Sequence, residues 1–260
     1  MDLGITDKRA LVLASSRGLG LGIAEALVAE GVHVMLTGRN EAALKEASER
    51  LTAAGPGRAV FAVVDMSAPD AADTVVTAAI DALGGVDILV NNTGGPKPGP
   101  ITASTGWTDA FDTMVERVIS VTNLLLPHMR ERGWGRILTL TSSGVEQPIP
   151  NLGMSNTLRA ALLGWSKTLA SEVAGDGVTS NILLPGRIHT DRVDELDANA
   201  AKRQGKTPEE VATASRATIP AGRYGKVEEF AAVAAFLVSD KASYVTGAKF
   251  RCDGGMIRSI

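Results

Sequence analysis

Residues 10–31 read ALVLASSRGLGLGIAEALVAEG: a short apolar run, a loop of small residues, then apolar positions at helical spacing. Leu11, Val12 and Leu13 have the pattern of a buried strand. Ile23, Ala24, Leu27 and Val28 form the apolar face of a helix ending at Gly31. Between them lies Ala14-Ser15-Ser16-Arg17-Gly18-Leu19-Gly20-Leu21-Gly22. Small residues let the backbone approach a ligand closely, and a helix N-terminus offers unpaired N–H groups and a positive dipole end to a pyrophosphate. A glycine-rich turn alone also serves as a plain strand-to-helix connection. A strand before it, a helix after it and a second strand at Val32–Thr37 favour dinucleotide binding.

Outward from this unit, strand-like and helix-like stretches alternate. Helices are expected at Glu41–Ala54, Ala71–Leu83, about 108–132 and about 154–174, with Pro127 as a helix breaker. Strands are expected at Ala59–Val64, Asp87–Val90, Arg136–Thr141 and Val178–Leu184. Such alternation implies βαβ crossovers, hence an α/β fold: a Rossmann-type doubly wound parallel sheet of about seven strands with helices on both faces. The strands are nearly continuous apolar runs, as suits burial on both faces. No linker or repeat divides residues 1–260, which read as one domain. The segment 188–222 is richer in charge and carries two expected helices, Asp191–Gln204 and Pro208–Ala217. It follows a strand end, so it is placed to be a small helical lid; a solvated helical excursion is the alternative.

The chain is 45% hydrophobic with a net charge of −3, which argues against nucleic-acid or anionic-membrane partners. One cysteine, Cys252, excludes an internal disulfide or a cysteine-rich metal site. No leader or long apolar span is evident, so a cytoplasmic protein is expected. The second strand ends at Gly38-Arg39-Asn40, where an acid would suit the ribose 2′-hydroxyl of NAD. Arg39, with Arg17 in the glycine loop, suits a 2′-phosphate instead, so NADP(H) is the expected cofactor. Two surface arginines that merely open helices are the competing reading.

These residues and several later ones resemble the short-chain dehydrogenase/reductase family along nearly the whole chain. Its TGxxxGxG motif corresponds to residues 13–20, its Asp after the third strand to Asp65, and its NNAG to Asn91-Asn92-Thr93-Gly94. Its PG turn corresponds to Pro185-Gly186. Gly222-Arg223-Tyr224-Gly225, residues 243–247 and Asp253-Gly254-Gly255 resemble the bacterial 3-oxoacyl-acyl-carrier-protein reductase branch. The resemblance implies cofactor contacts at Ser15, Ser16, Arg17, Gly18, Leu19, Gly20, Arg39, Asp65 and Met66 on one side. It implies others at Asn91, Thr93, Gly94, Arg159, Pro185, Gly186, Ile188 and Thr190. It also implies a small-molecule carbonyl or acyl-thioester substrate, and a homotetramer packed through the two long helices.

The departures fall on the catalytic set. Ser142 matches the family serine, but the tyrosine position is Ser155, the lysine position is Arg159 and the asparagine position is Met114; Leu13-Ala14 replaces Thr-Gly. The two tyrosines, Tyr224 and Tyr244, belong to C-terminal motifs, so the usual proton donor is absent. The leading expectation is an oxidoreductase on a carbonyl/alcohol pair with rewired proton transfer. In it Ser142 orients the carbonyl, Arg159 holds ribose or oxyanion, and Ser155 or water relays the proton. The alternatives are a nucleotide-binding sensor or partner subunit without chemistry, and a non-redox enzyme on the same scaffold. Halohydrin dehalogenases also have arginine at the lysine position but keep the tyrosine. Among other candidates, His189 could donate a proton or simply sit at the lid hinge, His128 after Pro127 reads as structural, and His33 starts the second strand, far from the expected site. Lys97, Arg187 and Arg192 could attract an anionic substrate or be ordinary solvated charges.

Overall fold

A computed structural model describes all 260 residues. Seven parallel strands form one sheet in the order β3-β2-β1-β4-β5-β6-β7. The strands are β1 (Arg9–Val12), β2 (His33–Gly38), β3 (Ala59–Val63), β4 (Ile88–Asn91), β5 (Gly135–Leu140), β6 (Val178–Pro185) and β7 (Lys249–Cys252). The expected parallel, doubly wound sheet is therefore present. The chain builds outward from β1 to β3, then returns to lay β4 against the other side of β1. That reversal leaves a crevice at the carboxyl ends of β1 and β4, where open α/β sheets bind ligands.

Residues alternate between the two sheet faces. Ala10 and Val12 join a core with α1 (Gly18–Ala29), α2 (Glu41–Ala54) and α9 (Val227–Leu237). Leu11 and Leu13 point the other way, into a core with α3 (Ala71–Leu83), α5 (Arg117–Glu131) and α6 (Gly153–Val173). Burying each such Leu or Val contributes about 1.5–3 kcal/mol, so strand and helix periodicity together fix which faces meet. Gly22 is required by that packing: a Cβ there would overlap Val227 of α9.

The expected helix at 108–132 is interrupted. It begins as α4 (Trp107–Phe111), widens into a π-turn at Asp112–Glu116 and continues as α5 through Pro127. Proline removes one rung of the ladder. Val121, Leu125 and Met129 are nevertheless buried on the sheet and hold the helix across it, so Pro127 does not end it. The two helices of the 188–222 segment, α7 (Asp191–Gln204) and α8 (Pro208–Ala217), have the bounds read from the sequence. A capping box at Thr207 and Glu210 starts α8.

Candidate active site and family

The loop after β1 is fastened from beneath. Ser15 is fully buried; its hydroxyl donates to Val12 O (2.7 Å) and accepts from Thr37 N–H (2.9 Å). Ala14 N–H donates to Thr37 Oγ1 (3.2 Å), and Asn92 Nδ2 donates to Ala14 O (3.1 Å). These bonds hold Ala14 at φ +48°, a left-handed backbone that costs a residue with a Cβ about 1–2 kcal/mol. Gly20 must lack a side chain, because a Cβ would sit 2.6 Å from Ala14 O. Ser15, expected at the cofactor, is thus a brace whose side chain is closed off from any ligand. Leu19 likewise packs on the core. Above this brace, α1 begins with no side-chain cap, so its first N–H groups face the crevice unpaired by any side chain. A Cβ on Gly18 would meet nothing nearer than Thr190 Cγ2 at 3.9 Å. The open space, small loop and uncapped helix fit a pyrophosphate.

The outer corner of the crevice carries two exposed arginines, each beside an acid. Ser16 Oγ lies at the end of β2, close to Gly38. Arg39 follows on an open cleft shared with Asn40, Glu41, Ala42 and Lys45. Arg17 is paired with Asp191 on α7 (3.3 Å) and Arg39 with Asp65 (3.9 Å), each arginine side chain being 78% exposed. Long exposed side chains take the nearest acid, and such pairs are weak enough for a phosphate to displace. Asp65 accepts from Ser67 N–H and Oγ (3.0 and 2.9 Å), which with Arg39 hold its carboxyl below the usual range. Met66 packs against the second core.

Across the crevice, Asn91 turns inward. It is buried, donating to Thr122 Oγ1 (3.1 Å) and Thr139 Oγ1 (3.3 Å), so its side chain braces β4 against β5 and α5. Gly94 is exposed, and a Cβ there would touch nothing. Arg159 projects from α6 and is 8% exposed. Its Nη1 donates to Leu140 O (3.2 Å) at the end of β5, and its Nη2 to Thr93 O (3.0 Å) after β4. It forms no ion pair; burial first, then the nearby Arg192 cation, lower its pKa to about 10. Ser155 lies one turn earlier in the first turn of α6, on the same helix face. Ser142 follows β5, and its Oγ accepts from Gly144 N–H (3.1 Å), leaving its proton to donate. Met114 sits in the π-turn, buried with Met154, Leu158 and Leu162, so no polar side chain occupies that position.

The far rim is formed by the turn after β6. Gly186 packs against Asp253, whose Cα a Cβ would meet at 2.6 Å. Pro185 ends β6, Ile188 is buried in the first core, and Thr190 precedes α7. Arg187 donates to Asp197 Oδ1 (3.0 Å) and Tyr224 OH to Asp197 Oδ2 (2.6 Å). Burial, then the bond to Asp197, push the Tyr224 phenol up, while Tyr244 is fully exposed. The Tyr224 proton is thus committed to Asp197. His189 is exposed, with its Nε2 3.2 Å from Asp194 Oδ1 on α7. Thr37 and Asn92 were missed as loop braces. The signal for Thr37 was a polar residue inside the apolar run of β2.

A family model described as Enoyl-(Acyl carrier protein) reductase matches residues 13–257. The 3-oxoacyl-acyl-carrier-protein reductase FabG of Salmonella typhimurium is 36% identical over 253 residues, covering 96% of this chain and 97% of that protein. L-sorbose reductase from Gluconobacter frateurii, solved with NADPH and L-sorbose, superposes with a TM-score of 0.94 at 33% identity, covering all of both chains. An actinorhodin polyketide ketoreductase variant solved with NADPH gives 0.91 at 30% identity, covering 96% of this chain and 97% of that one. With its parallel sheet, braced glycine loop and PG turn, the chain belongs to the short-chain dehydrogenase/reductase family.

Proposed function

We propose that this protein is an NADP(H)-dependent oxidoreductase acting on a carbonyl/alcohol pair, similar to 3-oxoacyl reductases but with a different route for the proton. The observation that carries the reading is Arg159, a buried guanidinium without a counter-ion at the carboxyl ends of β4 and β5. NADPH in the solved relatives supports the cofactor, as do Arg17, Arg39 and the uncapped α1. Bound there, the reduced nicotinamide supplies a hydride.

Ser142 donates its free proton in a hydrogen bond to the substrate carbonyl and so orients it. Arg159 uses two of its five N–H donors on backbone carbonyls. The remaining donors hold a ribose hydroxyl and the negative charge that grows on the carbonyl oxygen, an electrostatic role that low dielectric strengthens. Ser155, with no hydrogen bond of its own, relays a solvent proton to that oxygen. It sits at the positive end of α6, which favours a transient negative charge. Losing a positioned general acid costs about 10²–10⁴ in rate, so turnover slower than that of tyrosine-bearing relatives is expected.

The 188–222 segment acts as the lid over a small-molecule substrate. The protein works in the cytoplasm; no helix is long and apolar enough to cross a membrane. It assembles as a homotetramer, and exposed Phe111 and Leu124 on α4 and α5 supply apolar surface for such packing. The test is NADPH oxidation against a panel of ketones and 3-oxoacyl thioesters, with Ser142→Ala as control. Turnover that Ser142→Ala lowers by tenfold or more supports the reading. NADPH binding without turnover on any carbonyl would favour the second reading, a nucleotide-binding protein without chemistry, which the commitment of the Tyr224 proton to Asp197 and the full exposure of Tyr244 support.

A further inference from the structure

Three cations border the crevice on the lid side, and the structure sorts them. Arg187 is consumed by buried Asp197 (3.0 Å). Lys97 is exposed in the loop after β4 and holds nothing. Arg192, on the first turn of α7, is fixed by bonds to Pro96 O (3.1 Å) and Glu195 (2.8 Å) and faces the crevice floor. A Cβ built on Gly95 would lie 3.7 Å from Arg192 Nη2 and 3.9 Å from Arg159 Nη2. One glycine therefore separates two guanidinium groups. Between them they have a single carboxylate, that of Glu195, on the outer side of Arg192.

A buried charge without a partner is costly, and a like charge beside it raises the cost. The arrangement persists here because Arg159 is pinned by two carbonyls and Arg192 by a third. What neutralises such a pair is an anion with two acceptor oxygens in a plane, matched to two guanidinium forks. From this we infer that Arg159 and Arg192 form a carboxylate-binding site over Gly95, so that the protein selects oxo acids over neutral ketones. This rests on the reductase reading proposed above and narrows its substrate to molecules carrying a carboxylate. The cofactor's own phosphates are a separate matter, since their cradle is the uncapped N-terminus of α1. Gly95 keeps the space free, and a side chain there meets only ordinary contact distances.

The test is calorimetric titration of the NADP⁺-loaded protein with acetoacetate against acetoacetamide and levulinate against levulinamide; inorganic phosphate is a further arm. NADP⁺ prevents reduction, so binding alone is read. Each acid is expected to bind about tenfold or more tighter than its amide, as befits a charge-assisted pair. Arg192→Met should erase that preference while NADP⁺ affinity stays that of the wild type. Gly95→Asp, which places a carboxylate between the two cations, should do the same. Equal binding of acid and amide, no binding of either acid, or an acid preference that survives Arg192→Met would overturn the proposal. Phosphate binding as tightly as the acids, and lost in Arg192→Met, would overturn the carboxylate assignment in favour of a phosphoryl group. If the protein takes up no NADP⁺, the reductase reading fails on its own; the same titrations on the cofactor-free protein still decide the anion site.

Discussion

The loop after β1 and the floor around Arg159 face each other across one crevice, yet their polar groups are satisfied in different ways. In the loop, Ser15, Thr37 and Asn92 form a closed set of short hydrogen bonds, and the one strained residue, Ala14, is held by two of them. The groups left facing the crevice there are backbone N–H donors and two exposed arginines that already rest on acids. On the floor, the chain supplies a buried cation and two serines whose protons or lone pairs are uncommitted. The first region has its side chains satisfied before a ligand arrives and offers backbone N–H groups to it. The second is complete only with one. A cradle made of backbone tolerates Leu13-Ala14 in place of Thr-Gly. The proposed change of chemistry lies on the floor, which is made of side chains.

The sharpest way to break this contrast is to restore the family's side chains on the floor alone. Met114→Asn, Ser155→Tyr and Arg159→Lys together should raise ketone reduction by about 10²–10⁴, the value of a positioned general acid. NADPH oxidation with ethyl acetoacetate reads the change, and an unchanged rate would mean that the carbonyl binds elsewhere. Arg159→Met should lower turnover by about 10²–10³, as expected for losing a principal electrostatic group; steady-state kinetics beside a circular-dichroism melt separates this from unfolding.

On the cradle, Arg39→Asp should weaken NADPH by about 10–100-fold, the worth of a charge-assisted contact, and leave NADH nearly unchanged. Smaller again, burial lowers the Arg159 pKa to about 10. A lowered pKa on a cation means that its proton is lost earlier as pH rises. The site therefore stays charged through neutrality, and kcat/KM should fall above about pH 10. The smallest effect belongs to the loop. Ala14→Gly relieves the left-handed backbone but loosens the unfolded chain, for a net gain of about 0.5–1 kcal/mol. Thermal unfolding should shift upward by about 2–4 °C per kcal/mol for a domain of this size.

Most of the sheet was legible because its strands are buried on both faces and read as apolar runs, from Leu11 to Leu184. β7 was not, since Lys249-Phe250-Arg251-Cys252 lies at the sheet edge and alternates exposed with half-buried positions. The π-turn at Asp112–Glu116 was also hidden, because one extra residue in a helical turn barely disturbs the apolar spacing. At the crevice, motif spacing pointed to Ser142, Ser155 and Arg159; Ser142 follows β5, and the other two lie one turn apart at the start of α6. The side chains of Ser15 and Asn91 are turned into internal hydrogen bonds, which a motif position does not reveal. It also did not show that Arg17 and Arg39 rest on different acids, or that Arg192 and not Arg187 faces Arg159. Those are contacts between segments up to 174 residues apart, which local sequence does not encode.

The central claim is that a working NADP(H) cradle survives beside an altered catalytic floor. Its most direct test is calorimetric titration of the purified protein with NADPH and with NADH. NADPH is expected to bind at least about tenfold tighter than NADH, from the charge-assisted contacts that a 2′-phosphate makes with the arginines. Equal affinities, or no binding of either, would contradict it.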